Sequence, residues 1–349
     1  MIAMGSVEET RPRKPDEKPA MWPDRAIDTK LPGRPVAKPG QRRLASKVQE
    51  NWYEDAKHGS NGRVRGADVA KLISIIVTTY NREDALDAVL RSLARQSDAA
   101  FEIIVADDGS GPATAKLIES WRPKIGCRLE HVWHADRGFR AAEIRNHAIL
   151  AARGAYCLFL DGDCVVRSDF VASHRRLAEP GWFVTGNRVL LSPELTAKVL
   201  LEKLAPESWT IARWLAERWH NGINRLSAIF YLPLGPLRRI RQGIWKDARS
   251  CNLAIWRSDL DRIDGFDADY MGWGKEDSDV IIRLLHAGVR RKEGLFSTGV
   301  IHLWHPEADR SQLSKNEHKL AEMVAGHRIR AKRGLSSLQG SSADALATS

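Results

Sequence analysis

Four short apolar, β-rich runs, Ile73–Thr79, Phe101–Ala106, Leu129–Trp133 and Tyr156–Leu160, recur at nearly constant intervals along the chain. Between them the apolar positions change period. Leu86, Val89, Leu90 and Leu93 follow the i, i+3, i+4, i+7 spacing of a helix with one face turned to a core. Alternating strand and helix units of this length predict right-handed crossovers and a largely parallel sheet. The expected class is therefore α/β and doubly wound. Each strand hands its following loop to the same edge, where open sheets of this kind bind ligands.

Polar residues collect at those strand ends. Thr78-Thr79-Tyr80-Asn81-Arg82 follows the first run, Asp107-Asp108-Gly109-Ser110 the second and Asp161-Gly162-Asp163 the fourth. No GxGxxG follows the first strand, which argues against an ordinary dehydrogenase. Gly162 lets the backbone turn between two acids at the tip of a buried strand. Such a pair suits Mg²⁺ or Mn²⁺, which nucleotide sites hold through one or two carboxylates, substrate phosphates and water. The bland alternative is a turn with solvated acids.

Composition divides the chain. Residues 1–68 contain seven of the 15 prolines, mixed with Lys, Arg and Asp. They cannot bury enough apolar area to offset their ordering entropy, so they read as a mostly disordered basic arm. An arm packed across the domain surface is the alternative. Residues 69–192 read as a first folded half, 193–246 as a helical insert rich in Trp and Arg, and 247–330 as a second folded half. Residues 331–349 read as a flexible tail.

The charge, 54 Lys+Arg against 44 Asp+Glu, favours anionic partners. Nucleic acid has only that charge in its favour, with no aromatic-basic module, and is not expected as a partner. The four cysteines form no CxxC pair and read as free, buried thiols. The amino terminus lacks the apolar core of a secretory signal, and no run of about 20 apolar residues follows. A reducing cytoplasm is the expected compartment. In the insert, the apolar run Leu226–Leu237 is followed by Arg238, Arg239 and Arg241. It suits peripheral contact with the anionic inner face of the cell membrane. Packing of a helical lid accounts for it equally well.

Taken together, IVTTYNR, VADDGS, DRGFRAAEIRN and LFLDGD resemble the family-two inverting glycosyltransferases. That resemblance implies a GT-A (Rossmann-like) doubly wound mixed sheet with an acceptor-side C-terminal subregion, residues 69–192 being the nucleotide-sugar-binding half and 247–330 the acceptor and catalytic half. It implies a nucleotide-sugar donor held by Thr79, Tyr80, Arg82, Asp108 and Asp161, with Arg140, Arg145 and Asn146 facing the nucleotide sugar. Asp163 would bind the metal. A second block, GFDADYMGWGKEDSD, resembles the GWGxED signature of galactosyl- and N-acetylgalactosaminyltransferases, including bacterial chondroitin-type polymerases. By that resemblance Asp277 is the catalytic base, Glu276 adjoins it and Trp273 forms the sugar platform. The competing explanation is helix capping, because acids are favoured in a first helical turn.

In VIHLWHP, a late-strand histidine would complete the metal site. Period-two geometry puts His302 and His305 on opposite faces, so both reach the metal only if the strand ends between them; His305 is preferred because Pro306 should stop the strand there. The expected protein moves a hexose or N-acetylhexosamine from a UDP-sugar to a glycan or glycolipid acceptor, with Mn²⁺ or Mg²⁺ as cofactor. The acceptor expected is a lipopolysaccharide core, a capsule or a similar bacterial surface glycan. A nucleotidyltransferase, or a catalytically silent nucleotide-sugar or glycan-binding protein, is the rival.

Overall fold

The computed structural model describes residues 70–339, so the expected basic arm over 1–68 lies outside the described residues. Strands and helices alternate at first as the sequence predicts: β1 (Ile73–Thr79), α1 (Glu83–Leu93), β2 (Phe101–Asp107), α2 (Pro112–Trp121), β3 (Leu129–Trp133), α3 (Ala141–Ala151) and β4 (Tyr156–Asp161). Then come β5 (Cys164–Val166), α4 (Phe170–Leu177), β6 (Trp182–Thr185), β7 (Arg188–Leu190), α5 (Pro193–Leu201) and α6 (Ile211–Trp219). The remainder holds β8 (Asn252–Trp256), α7 (Arg257–Ile263), α8 (Glu276–His286), β9 (Arg290–Glu293), β10 (Val300–His302) and α9 (Leu313–Ala325).

Seven strands form one sheet in the order β3-β2-β1-β4-β8-β6-β9. The run from β3 to β4 is parallel, and β8 pairs antiparallel with both β4 and β6. Both faces are covered, which is why these strands read as continuous apolar runs and not as alternating ones. On β1, Ile73, Ile75 and Val77 join a core with Leu86, Val89, Leu90 and Leu93 of α1. Ile76 faces the other way, into a core with Ile144 of α3, Leu260 of α7 and Val280 and Leu284 of α8. From β1 the order runs one way to β2 and the other way to β4. The crevice at the carboxyl ends of these three strands is therefore the switch point where open sheets bind ligands.

A smaller sheet, β5-β10-β7, closes one side of that crevice. Its register sets His302 opposite Cys164, and the Leu303 N–H donates to the Asp163 carbonyl at 2.9 Å.

The 193–246 insert is helical only in α5, α6 and two 3₁₀ turns, Pro206–Ser208 and Gly235–Arg239. Pro233 and Pro236 lack amide donors and forbid a longer helix there. The tail also starts later than 331. Ala331 N–H bonds the Ile263 carbonyl, Leu335 is buried in the α3/α7/α8 core, and the Ser336 hydroxyl reaches Asp264 at 2.7 Å. The thiols are free, as expected, although Cys127 is only half-buried.

Candidate active site

The loops after β1, β2 and β3 interlock on one side of the crevice. Tyr80 Oη donates to Asp136 at 2.9 Å, Asn81 N–H donates to Ser110 Oγ at 2.8 Å, and Gly111 N–H returns to Asn81 Oδ1 at 3.0 Å. Asp108 is buried and fully engaged: His134 Nε2 lies 2.7 Å from one oxygen, and the Arg140 N–H donates to the other at 2.8 Å. Gly109 makes this closeness possible. Its φ is +99°, and a Cβ there would meet Asp136 Cα at 2.5 Å. Gly109→Ala should therefore cost about 1–3 kcal/mol of stability through backbone strain and a backbone clash. A denaturant melt matching that of the parent would show that the two loops do not touch.

Asp161 and Asp163 sit at the tip of β4. Asp163, His302 and His305 offer ligand atoms within 4.8 Å of one another. His302 Nε2 lies 3.6 Å and His305 Nε2 3.4 Å from the Asp163 carboxylate. Both histidines converge because β10 stops at His302. The preference for His305 over His302 is thereby replaced by a site containing both.

Burial pushes the Asp161 and Asp163 carboxyls up. Arg145 opposes the rise at Asp161, and His305 and Arg82 oppose it at Asp163. Burial, aided by Arg188, lowers His302 to about 3, which leaves a neutral imidazole with a lone pair free at neutral pH. Crowded acids beside two imidazoles are the chemistry of a divalent cation site.

Arg145, on α3, is the hub joining this tip to α8. It is 4% exposed. Its guanidinium lies 3.2 Å from Thr78 Oγ1, 3.3 Å from Asp161, 3.5 Å from Glu276 and 3.6 Å from Asp277. Glu276 and Asp277 open α8 behind Lys275, whose φ of 76° turns the chain sharply into the helix. Of the two, the Asp277 side chain is the more open, 25% exposed against 9%. Its buried Oδ1 accepts no hydrogen bond, and neither does Glu276 Oε2.

Burial and the charge of Asp277 push the Glu276 carboxyl up to about 7, against the pull of Arg145. The fold thus favours protonated Glu276. Whatever stability that proton lends is complete below about pH 4.5 and is lost as pH rises through about 7. Glu276→Gln should accordingly raise the melting temperature relative to the parent more at pH 8 than at pH 5. An equal difference at both pH values would refute the raised carboxyl.

Not every expected residue faces the crevice. Asn146 is fully buried, its amide donating to the Phe266 carbonyl and accepting the Phe266 N–H, both at 2.8 Å. It clamps α3 to the loop before α8 and does not face a nucleotide sugar. Thr79 is buried with its Oγ1 unbonded, pressed beneath Gly162. Trp273 is half-buried, and the Arg310 guanidinium covers one ring face at 5.0 Å, so at most the other face can take a sugar. Sequence reasoning passed over Asp136, His134 and Arg188. A lone residue in a loop or on a three-residue strand carries no periodic signal, and only the fold brings these to the site.

Residues 74–230 match the glycosyl transferase family 2 profile, and residues 241–305 match one described as the N-terminal domain of galactosyltransferase. Validoxylamine A glucosyltransferase of Streptomyces hygroscopicus subsp. limoneus is 30% identical over 227 residues, 62% of this chain and 49% of that protein. Chondroitin synthase of Pasteurella multocida (strain Pm70) is 24% identical over 259 residues, 68% of this chain and 25% of that protein. The chain thus spans half or less of the length of these relatives. Among solved structures, that of S. aureus TarS in complex with UDP aligns with a TM-score of 0.50 at 16% identity, over 76% of this chain and 68% of that one. The fold is the mixed α/β sheet of the GT-A glycosyltransferases.

Proposed function

We propose that this chain, which carries a glycosyl transferase family 2 domain followed by a galactosyltransferase-type segment, is a metal-dependent inverting glycosyltransferase. It moves a hexose or N-acetylhexosamine from a UDP-sugar to a hydroxyl of a bacterial surface glycan, such as a lipopolysaccharide core or capsule. The observation that carries this reading is the Arg145 hub, which holds Asp161 of the donor side and Asp277 of the acceptor side against one guanidinium.

Asp163, His302 and His305 are the residues that would hold Mn²⁺ or Mg²⁺. Bound there, the cation supplies charge neutralisation for the departing nucleoside diphosphate. Tyr80, Arg82, Asp108, Arg140 and Asp161 line the donor side, and Trp273 offers its free face to a sugar. Asp277 accepts the proton of the acceptor hydroxyl as that oxygen bonds to the anomeric carbon. The bond from that carbon to the UDP oxygen breaks, and UDP leaves with the electron pair. One displacement inverts the anomeric centre, so an α-linked donor gives a β-linked product.

Among the described residues no helix is long and apolar enough to cross a membrane. Exposed Ile211, Leu215 and Trp219 recur every fourth residue along α6, and Leu237 and Ile240 are exposed beyond it. These suit peripheral contact at the cytoplasmic face, where a glycolipid acceptor would be found. Trp214 of the same helix is buried and packs on Trp209, 5.0 Å between centroids, so these two tryptophans serve the lid and not the membrane.

The test is UDP release from a panel of UDP-sugars with Mn²⁺ and candidate glycans. Acceptor-stimulated release from one donor is expected. Pyrophosphate release from UTP with a sugar phosphate, and no UDP from any donor, would replace this reading with nucleotidyl transfer.

A further inference from the structure

A second cluster of metal-ligating side chains adjoins Asp108 through His134. His134, Glu143 and His147 offer ligand atoms within 4.8 Å of one another, and share no residue with the Asp163 set. Glu143 and His147 are four apart on α3, so they are neighbours on one helix face. His134 reaches them from the segment between β3 and α3, its ring edge-on to that of His147 with centroids 6.1 Å apart.

The hydrogen bonding of His134 makes this more than proximity. Its Nε2 lies 2.7 Å from the Asp108 carboxylate, which accepts only, so the ring proton belongs on Nε2. That leaves a bare lone pair on Nδ1, which is buried and has no hydrogen-bond partner. A histidine held by a carboxylate through one nitrogen and offering the other inward is the way proteins orient metal ligands. Glu143 gives one oxygen, Oε1, to Arg137 at 2.7 Å, which leaves Oε2 for a cation. Arg137 is half exposed and remains free to turn to solvent.

We propose that His134, Glu143 and His147 bind a borderline transition-metal ion such as Zn²⁺, with a fourth position left to water. Two imidazoles and one carboxylate match that class and disfavour Mg²⁺, which prefers oxygen ligands in a strict octahedron. The ion would tie the β3–α3 segment, which carries Asp136 and hydrogen-bonds Asp108 through His134 and the Arg140 N–H, to the helix that carries Arg145. It is a structural clasp behind the donor site, and does not depend on which sugar is transferred.

Co²⁺ is the probe, because its visible absorption reports coordination geometry. Chelator-stripped full-length protein is titrated with Co²⁺ and the bound ion is counted by dialysis. Two equivalents are expected for the parent. His147→Gln should bind one, and Asp163→Ala/His302→Ala should also bind one, retaining the intense four-coordinate spectrum. That second variant leaves the cluster untouched, so the test survives if His147→Gln folds poorly. A parent that binds a single equivalent, lost in Asp163→Ala/His302→Ala, would overturn the second site. So would a folded His147→Gln with the parent's stoichiometry and spectrum. Both readouts are independent of transfer, so loss of the proposed activity would leave this result standing.

Discussion

Asp163→Ala should lose transfer by at least about 100-fold, more than removal of an outer partner of a metal ligand costs. Asp163 is the member of its cluster that both histidines approach, at 3.6 and 3.4 Å, and the cluster's only carboxylate. Chelation of the parent should have the same effect. Restoration should favour Mn²⁺ over Mg²⁺, because two of the three ligands are imidazoles. His302→Ala and His305→Ala should each weaken metal-dependent UDP binding, since the end of β10 lets both reach the acid. Asp161→Asn is the contrasting variant. Asp161 pairs with Arg145 and is not a member of the Asp163, His302 and His305 set, so its loss should weaken nucleotide affinity while leaving the metal requirement intact. Full transfer by protein shown to be metal-free would remove the metal from the reaction.

How far the site could be read in advance depended on whether burial or strand length decided the matter. The parallel half was legible because β1, β2 and β4 are buried on both faces, and burial imposes unbroken apolar runs. Strand β9 was not, since its sequence is RRKE. Arg291 and Lys292 are nonetheless buried, the first bonded to the Ile244 carbonyl and Thr185, the second to the Leu177 carbonyl. Charged residues whose hydrogen bonds come from distant backbone leave no pattern in the local chain. His302 and His305 can converge because β10 ends between them, at His302, where alternation no longer sets them on opposite faces. Asn146 illustrates a different failure. Residues adjacent on a helix point about 100° apart, so Arg145 and Asn146 could not both face one ligand, and motif position alone did not say which would.

Asp277→Asn should lower the transfer rate by about 10²–10⁴-fold with donor binding nearly unchanged, the usual consequence of removing a general base. Asparagine keeps the size and one carbonyl oxygen, but it cannot take a proton. Arg145 would still have Asp161 as a counter-charge and Glu276 as a hydrogen-bond acceptor, so the hub need not collapse. Glu276 is a poor substitute as the base. It is the more buried of the two, and with its carboxyl pushed up to about 7 it is protonated in much of the protein at neutral pH. The competing explanation gives Asp277 only a place in the first turn of α8, where an acid is favoured by the helix dipole. Asparagine there would cost at most about 1 kcal/mol of stability and nothing in rate. The two explanations part on one variant, read by rate at saturating donor and acceptor, UDP affinity and melting temperature. Normal affinity and melting with a rate within about threefold of the parent would end the assignment of Asp277, because a general base contributes far more than that.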